Sequence, residues 1–139
     1  MAHPIHPAFV HFPIACWSLA TIGDIASLAL GDQRVWFVSG VLLVLGLITA
    51  LAAMTAGLFE LKKIDEEGAA MQVANWHMYL IIMVWTLYAF SLFMRMDGST
   101  LMRPNGVAIG LSVFGFLLLC AAGWFGGKLV YQYRIGVDK

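Results

Sequence analysis

The chain of 139 residues is 61% hydrophobic and only 12% charged, whereas a soluble domain carries roughly 25% charged residues. So few charges cannot cover a water-facing surface, and a formal net charge of zero offers no basic surface for nucleic acid. The composition therefore indicates a protein embedded in lipid, and it excludes a freely soluble domain or a nucleic-acid-binding one.

Four long apolar runs follow one another along the chain, each exceeding the ~18 residues expected of a membrane-crossing helix. Short polar segments separate the runs and mark where the helices end. The predicted spans are residues 8–30, 35–59, 73–94 and 106–126. They predict an all-α integral membrane four-helix bundle of up-down-up-down topology, forming one domain over residues 1–139.

The first run has no basic residue before it and no small-residue cleavage site after it, so it is interpreted as a retained span. It is expected to start near Ala8, with His3-Pro4 and His6-Pro7 as a short extended lead. Basic residues predict that both termini face the cytoplasm. Five lie on the side of the termini, against three on the other side: Lys62, Lys63, Lys128, Arg134 and Lys139 against Arg34, Arg95 and Arg103.

Four histidines gather at the membrane face where the first and third helices begin: His3, His6, His11 and His77. His11 and His77 each lie about one turn inside their predicted helices, roughly 5 Å below the interface. The first and third helices are diagonal in a four-helix ring, so these two imidazoles can point into the core at matched depth. This arrangement is typical of a haem iron bound axially from both sides, although the two rings could instead only hydrogen-bond neighbouring backbone.

Several other residues near this face admit two interpretations. His3 and His6 could form a second haem or metal site, complete a zinc or copper site with the other two histidines, or be solvated. Gly57 and Gly123 are expected to allow close helix packing, or else to leave space for a macrocycle beside the ligands. Trp76, adjacent to His77, is predicted to contribute to cofactor binding.

The remaining polar and aromatic residues receive ordinary roles. Asp24 is predicted to lie near the far interface, as helix-end polarity or in a link to Arg34. The five tryptophans are mostly interpreted as interfacial anchors. The two cysteines, Cys16 and Cys120, lie inside apolar runs and are interpreted as buried structural thiols rather than as a disulfide.

Three segments together resemble a known family: HPIHPAFVHFPIA at the start, NWHMY opening the third run, and GWFGGKLVYQYRIGV at the end. The chain resembles, over essentially its whole length, the small four-span bacterial membrane proteins called domain of unknown function 2231. The positions that match the family's marked residues are His3, Pro4, His6, Pro7, His11, Pro13, Asp24, His77, Gly126, Gly127 and Tyr131. Glu60, where the family often has Asp, and Arg134-Ile135, where it usually has Gly, are departures that leave the histidines untouched.

The family is sometimes joined to Rieske-type iron–sulfur domains, so the resemblance implies a redox setting in the bacterial inner membrane. The resulting hypothesis is a b-type cytochrome with one haem b, or two, held between helices 1 and 3 by His11 and His77. It would act as an electron carrier between a quinol or membrane dehydrogenase and a redox partner. The alternatives are a zinc- or copper-binding or transport protein and a non-catalytic respiratory-complex scaffold. GxxxG spacing in the fourth span is compatible with a homodimer under each hypothesis.

Overall fold

The computed structural model describes residues 5–136, which form four long helices and one short β-hairpin between the third and fourth helices. All four helices are long and apolar enough to cross a membrane, which confirms the predicted membrane bundle. The elements in chain order are α1 (Ile5–Leu30), α2 (Gln33–Leu61), α3 (Ala69–Phe93), β1 (Met96–Asp97), β2 (Thr100–Leu101) and α4 (Gly106–Tyr131).

The helices form two tightly packed antiparallel pairs. The α1 helix packs most extensively against α2, and α3 packs most extensively against α4. The contacts of α1 with α4 and of α2 with α3 are smaller and close the ring. The α1 and α3 helices therefore lie diagonally across the bundle and run in the same direction, as the sequence predicted.

The first helix begins at Ile5, earlier than the predicted start near Ala8. Pro7 falls in the first turn of α1 and is tolerated there, because first-turn N–H groups have no acceptor within the helix. Pro13 lies inside the helix and removes one backbone hydrogen bond without ending it. His6 and Pro7 are thus helical, and the expected extended lead is wrong for these two residues.

The centre of the bundle holds two stacked aromatic rings. Trp17 of α1 and Tyr88 of α3 are both fully buried, with ring centroids 4.9 Å apart and an interplanar angle of 11°. The expectation that the tryptophans are interfacial anchors is therefore wrong for Trp17. Trp85 is half-buried, and its Nε1–H donates to the Leu47 carbonyl oxygen at 3.2 Å. These rings fill the space where diagonal helices meet.

The turns at the far end of the bundle are fixed by side-chain caps and left-handed glycines. The Asp32 carboxylate accepts from the Arg34 backbone N–H at 2.8 Å, and the Asn105 side chain accepts from the Ala108 N–H at 2.8 Å. Gly31 and Gly98 have φ values of 64° and 58°, a region that favours glycine. Gly31 therefore allows a short α1–α2 connection, and Gly98 forms the turn of the β1–β2 hairpin within the longer α3–α4 connection.

Candidate functional site

His6 lies near the start of α1 and is held by the neighbouring helix α2. Its Nδ1 is 2.7 Å from the Ala53 carbonyl oxygen. A Cβ built at Gly57 would lie 3.1 Å from the His6 Cε1 and Nδ1 atoms, so the imidazole occupies space that only a glycine leaves open. The half-buried His6 ring is thus positioned by one hydrogen bond and one close backbone contact.

His77 of α3 is held by α4 in the same way. Its Nδ1 is 2.8 Å from the Ala122 carbonyl oxygen. A Cβ at Gly126 would lie 3.1 Å from His77 Cε1 and 3.3 Å from its Nδ1. The half-buried His77 ring therefore has the same two supports as His6, supplied by the other helix pair.

These hydrogen bonds assign the tautomer of both neutral rings. A carbonyl oxygen can only accept, so Nδ1 must carry the proton in each case. The Nε2 atom then has a free lone pair, and neither Nε2 has a hydrogen-bond partner among residues 5–136. An imidazole that donates through Nδ1 to a backbone carbonyl and offers Nε2 is the usual form of a histidine ligand to a metal.

The two rings lie at the same end of the bundle. Both project from diagonal helices near the end of the bundle where α1 and α3 begin, here called the histidine face. The structure therefore presents two matching nitrogen donors from opposite sides of the bundle.

His11 does not take part in this arrangement. Its side chain is exposed on the outside of α1, so the prediction that the His11 ring points into the core opposite His77 is wrong. His11 follows His6 by five positions, which places their side chains about 140° apart around a helix. Only one of them can face the core, and that residue is His6. His3 lies outside the described residues.

The structure also changes which of the predicted residues lie beside the histidines. Gly57 does contact an imidazole, but it is that of His6 rather than His11. Gly123 is exposed, and no side chain or neighbouring helix lies within 4 Å of where its Cβ would be; Gly126 takes the place beside His77 instead. Trp76 is 60% exposed, as expected of a residue at the membrane interface.

Other metal-ligand combinations are sparse in the described part of the chain. Residues 5–136 contain no cluster of three or more His, Cys, Asp or Glu side chains that could hold a metal ion. Cys16 and Cys120 are both free, and Cys120 is exposed rather than buried. Within the described residues, neither cysteine nor a larger ligand cluster adds to the two imidazoles at the histidine face.

A second polar site lies at the opposite end of the bundle, here called the ion-pair face. Asp24 of α1 and Arg95, just after α3, are both fully buried. The Arg95 Nη1 and Nη2 atoms donate to Asp24 Oδ1 and Oδ2, each at 2.7 Å. The expected link from Asp24 to Arg34 is wrong, because Arg34 pairs with Asp32 in an exposed contact of 3.2 Å.

Serine hydroxyls complete the hydrogen bonding of the buried pair. Ser39 of α2 donates to the Asp24 carboxylate. The Arg95 Nη2 also donates to Ser91 Oγ at 2.8 Å, and Ser91 Oγ lies 2.8 Å from Ser112 Oγ. A bidentate pair with these extra partners compensates the desolvation of both charges, which an isolated intramembrane charge could not do.

Comparison with known proteins identifies one family and no individual relative. The family model described as "Predicted membrane protein (DUF2231)" matches residues 2–139. No curated protein and no solved structure matches the chain.

Proposed function

The chain belongs to this family of predicted membrane proteins, and we propose that it is a membrane b-type cytochrome whose haem b would be held by His6 and His77. One observation carries the proposal. Two imidazoles on diagonal helices each have Nδ1–H fixed by a carbonyl oxygen of the neighbouring helix, and each leaves Nε2 without a protein partner among residues 5–136.

The donor set of the described residues fits haem better than zinc. A structural zinc site needs four ligands in a tetrahedron, whereas a haem iron needs the protein to supply only the axial ones. The histidine face offers two matching imidazoles, and no third ligating side chain joins them within the described residues. Gly57 and Gly126 hold the rings in place and also keep backbone, rather than bulky side chains, beside them.

The protein's own contribution would be to position the haem and to insulate it from solvent. Haem b held by His6 and His77 would supply one-electron exchange. The Ala53 and Ala122 carbonyl oxygens orient the imidazoles and raise their basicity as ligands. Such a site favours an electron carrier over a catalyst with its own substrate. The proposed partners are a quinol or membrane dehydrogenase as donor and a redox protein, such as a Rieske-type one, as acceptor.

The proposed location is the bacterial inner membrane with both termini in the cytoplasm. The charge bias behind this orientation is stronger than the sequence count suggested, because Arg95 is buried in an ion pair and is not a free loop charge. Fusions at the C-terminus test it: green fluorescent protein should fluoresce and alkaline phosphatase should be inactive. The reverse result would place the termini outside.

A homodimer is part of the proposal, since Gly106 and Gly110 leave an open strip on α4.

The haem proposal is tested by absorption spectroscopy of protein purified from haem-replete cells, before and after dithionite. We expect a low-spin spectrum with a sharp reduced α band in the wild type. His6→Ala and His77→Ala should each abolish it, and His11→Ala, on the exposed side of the same helix, should retain it. A haem-free wild type would overturn the proposal. Loss on His11→Ala with retention on His6→Ala would overturn the ligand assignment.

Metal analysis of the same samples separates the alternatives. Stoichiometric zinc or copper with little iron would replace the cytochrome proposal by a zinc- or copper-binding or transport function. Neither haem nor metal, with a respiratory-complex partner retained after replacement of His6 and His77, would instead support a scaffold.

A further inference from the structure

The two helix pairs of the bundle carry similar or complementary residues at a set of equivalent positions. Three residues of α1 have counterparts 71 positions later, two of them in α3 and one just after it: His6 and His77, Trp17 and Tyr88, Asp24 and Arg95. Four pairs in α2 and α4 are separated by 69 positions: Ser39 and Ala108, Gly46 and Gly115, Ala53 and Ala122, Gly57 and Gly126. These are the residues that form the two sites and the core between them.

The contacts within each pair of helices also repeat. The histidine of each pair donates to the equivalent alanine carbonyl and packs on the equivalent glycine, as described above. The buried aromatic ring follows the same rule, because Trp17 packs against Gly46 and Tyr88 packs against Gly115. Equivalent residues thus make equivalent contacts at two levels of the bundle.

One hydrogen bond between helices occurs in both pairs, although its donor lies on the second helix of one pair and on the first helix of the other. The single Ser39 hydroxyl hydrogen of α2 is shared between the Asp24 carboxylate and the Ala20 carbonyl oxygen of α1, which lies 2.7 Å from Ser39 Oγ. In the other pair, Ser91 of α3 donates to the Ala108 carbonyl oxygen of α4 at 2.8 Å. Ser91 stands 71 positions after Ala20, and Ala108 stands 69 after Ser39. The same backbone positions are therefore tied together in both pairs, with serine and alanine exchanged.

We propose that α1–α2 and α3–α4 are two copies of one helical-hairpin unit, related by a pseudo-two-fold axis along the membrane normal, and that Asp24–Arg95 is the contact that makes unlike copies pair. Equivalent residues meet across such an axis, as Trp17 and Tyr88 do in their stack. Two identical copies would bring two aspartates or two arginines together in a buried site. The opposite charges remove that repulsion only when the two copies differ.

Each hairpin therefore presents an interaction surface whose partner is the other hairpin. The inference does not depend on haem binding, since it rests on packing and hydrogen bonds throughout the bundle. Because the two hairpins are equivalent, the acidic residue at position 24 and the basic residue at position 95 can exchange places. The surrounding hydroxyls of Ser39, Ser91 and Ser112 can each donate or accept, so they can serve either charge.

The test is charge reversal in the full chain, with unfolding in detergent micelles followed by tryptophan fluorescence. Asp24→Arg alone and Arg95→Asp alone should each lower the folding equilibrium constant more than about 100-fold, because each leaves two like charges buried. The double variant should return to within about tenfold of the wild type. The matched control reverses the exposed pair, Asp32→Arg with Arg34→Asp, and should lower the folding equilibrium constant by no more than about tenfold, which is the cost of losing the Asp32 cap of α2.

A double reversal no more stable than the single ones would overturn the inference, because positions 24 and 95 would then not be equivalent. A second variant, Asp24→Leu with Arg95→Met, distinguishes selectivity from net stability. Replacing a buried pair by apolar residues is often neutral, so this variant should stay within about tenfold of the wild type. A loss as large as in the single reversals would mean that the pair supplies net stability and is not a device for partner choice.

Discussion

A single methyl group added at Gly46 tests the packing of the bundle centre. A Cβ at this position would lie 2.5 Å from Trp17 Nε1, 2.6 Å from its Cδ1 and 3.3 Å from the Cys16 Cβ. Real Cβ atoms do not approach other atoms this closely, so the indole must move. Trp17 is 1% exposed and is stacked on Tyr88, which leaves it nowhere to go without disturbing a second buried ring.

The expected magnitude follows from two opposing effects. Overpacking a well-filled core costs about 1–3 kcal/mol, and a contact at 2.5 Å belongs in the upper part of that range. Replacing glycine by alanine in a helix returns about 1 kcal/mol. Gly46→Ala should therefore lower the free energy of unfolding by about 1–2 kcal/mol.

Two matched glycines give the controls. Gly115 is the equivalent position in α4, but its added Cβ would be 3.2 Å from the nearest Tyr88 atom, so Gly115→Ala should be close to neutral. A Cβ at Gly123 would meet nothing within 4 Å, so Gly123→Ala should be neutral or stabilising by up to about 1 kcal/mol. Unfolding with a denaturing detergent, followed by tryptophan fluorescence, ranks the three variants. If Gly46→Ala proves at least as stable as Gly123→Ala, the close approach of Trp17 to α2 is wrong.

Three further predictions concern polar contacts. Asp24→Asn leaves the Arg95 guanidinium buried without a counter-charge and should destabilise the protein by on the order of 3 kcal/mol, whereas Asp32→Asn should have little effect; equal losses in detergent unfolding would refute the burial argument. Trp85→Phe removes the indole donor to the Leu47 carbonyl oxygen and should cost about 0.6 kcal/mol in the same assay, and a larger loss would indicate a packing role for the indole. Asn105→Ala removes the cap of α4 and should cost about 1 kcal/mol, while Asn105→Asp should retain most of the stability; a harmless alanine would show that the cap is not needed.

The spans were predictable because length and lack of charge decide whether a helix can cross a bilayer. The direction in which each side chain faces was harder to predict, because helices this apolar have no polar side to mark the exterior. Depth in the membrane favours His11 as a ligand, but depth says nothing about rotation around the helix axis. Residue type predicts an interfacial position for Trp17, and it too says nothing about which way the side chain faces.

A usable signal was nevertheless present in the spacing. His6, Trp17 and Asp24 are separated by 11 and 7 residues, close to three and two full helical turns, so they form one stripe. His77 and Tyr88 of α3 and Arg95 just after it repeat these separations. The shared pattern marks the inner face of both helices and would have selected His6 over His11. The partner of Asp24 could not be read in this way, because Arg95 lies in a segment that the sequence placed in a polar loop.

The β1–β2 hairpin has a consequence for permeability. The Met102 backbone N–H donates to the Arg95 carbonyl oxygen at 2.7 Å, and Leu101 methyl groups sit 3.0 Å from where a Gly40 Cβ would be. This closes the end of the bundle beyond the ion pair, and the aromatic stack plugs the middle. A lengthwise path between the four described helices would have to pass both obstacles, so the more direct routes to the imidazoles are from their own aqueous compartment or sideways out of the lipid.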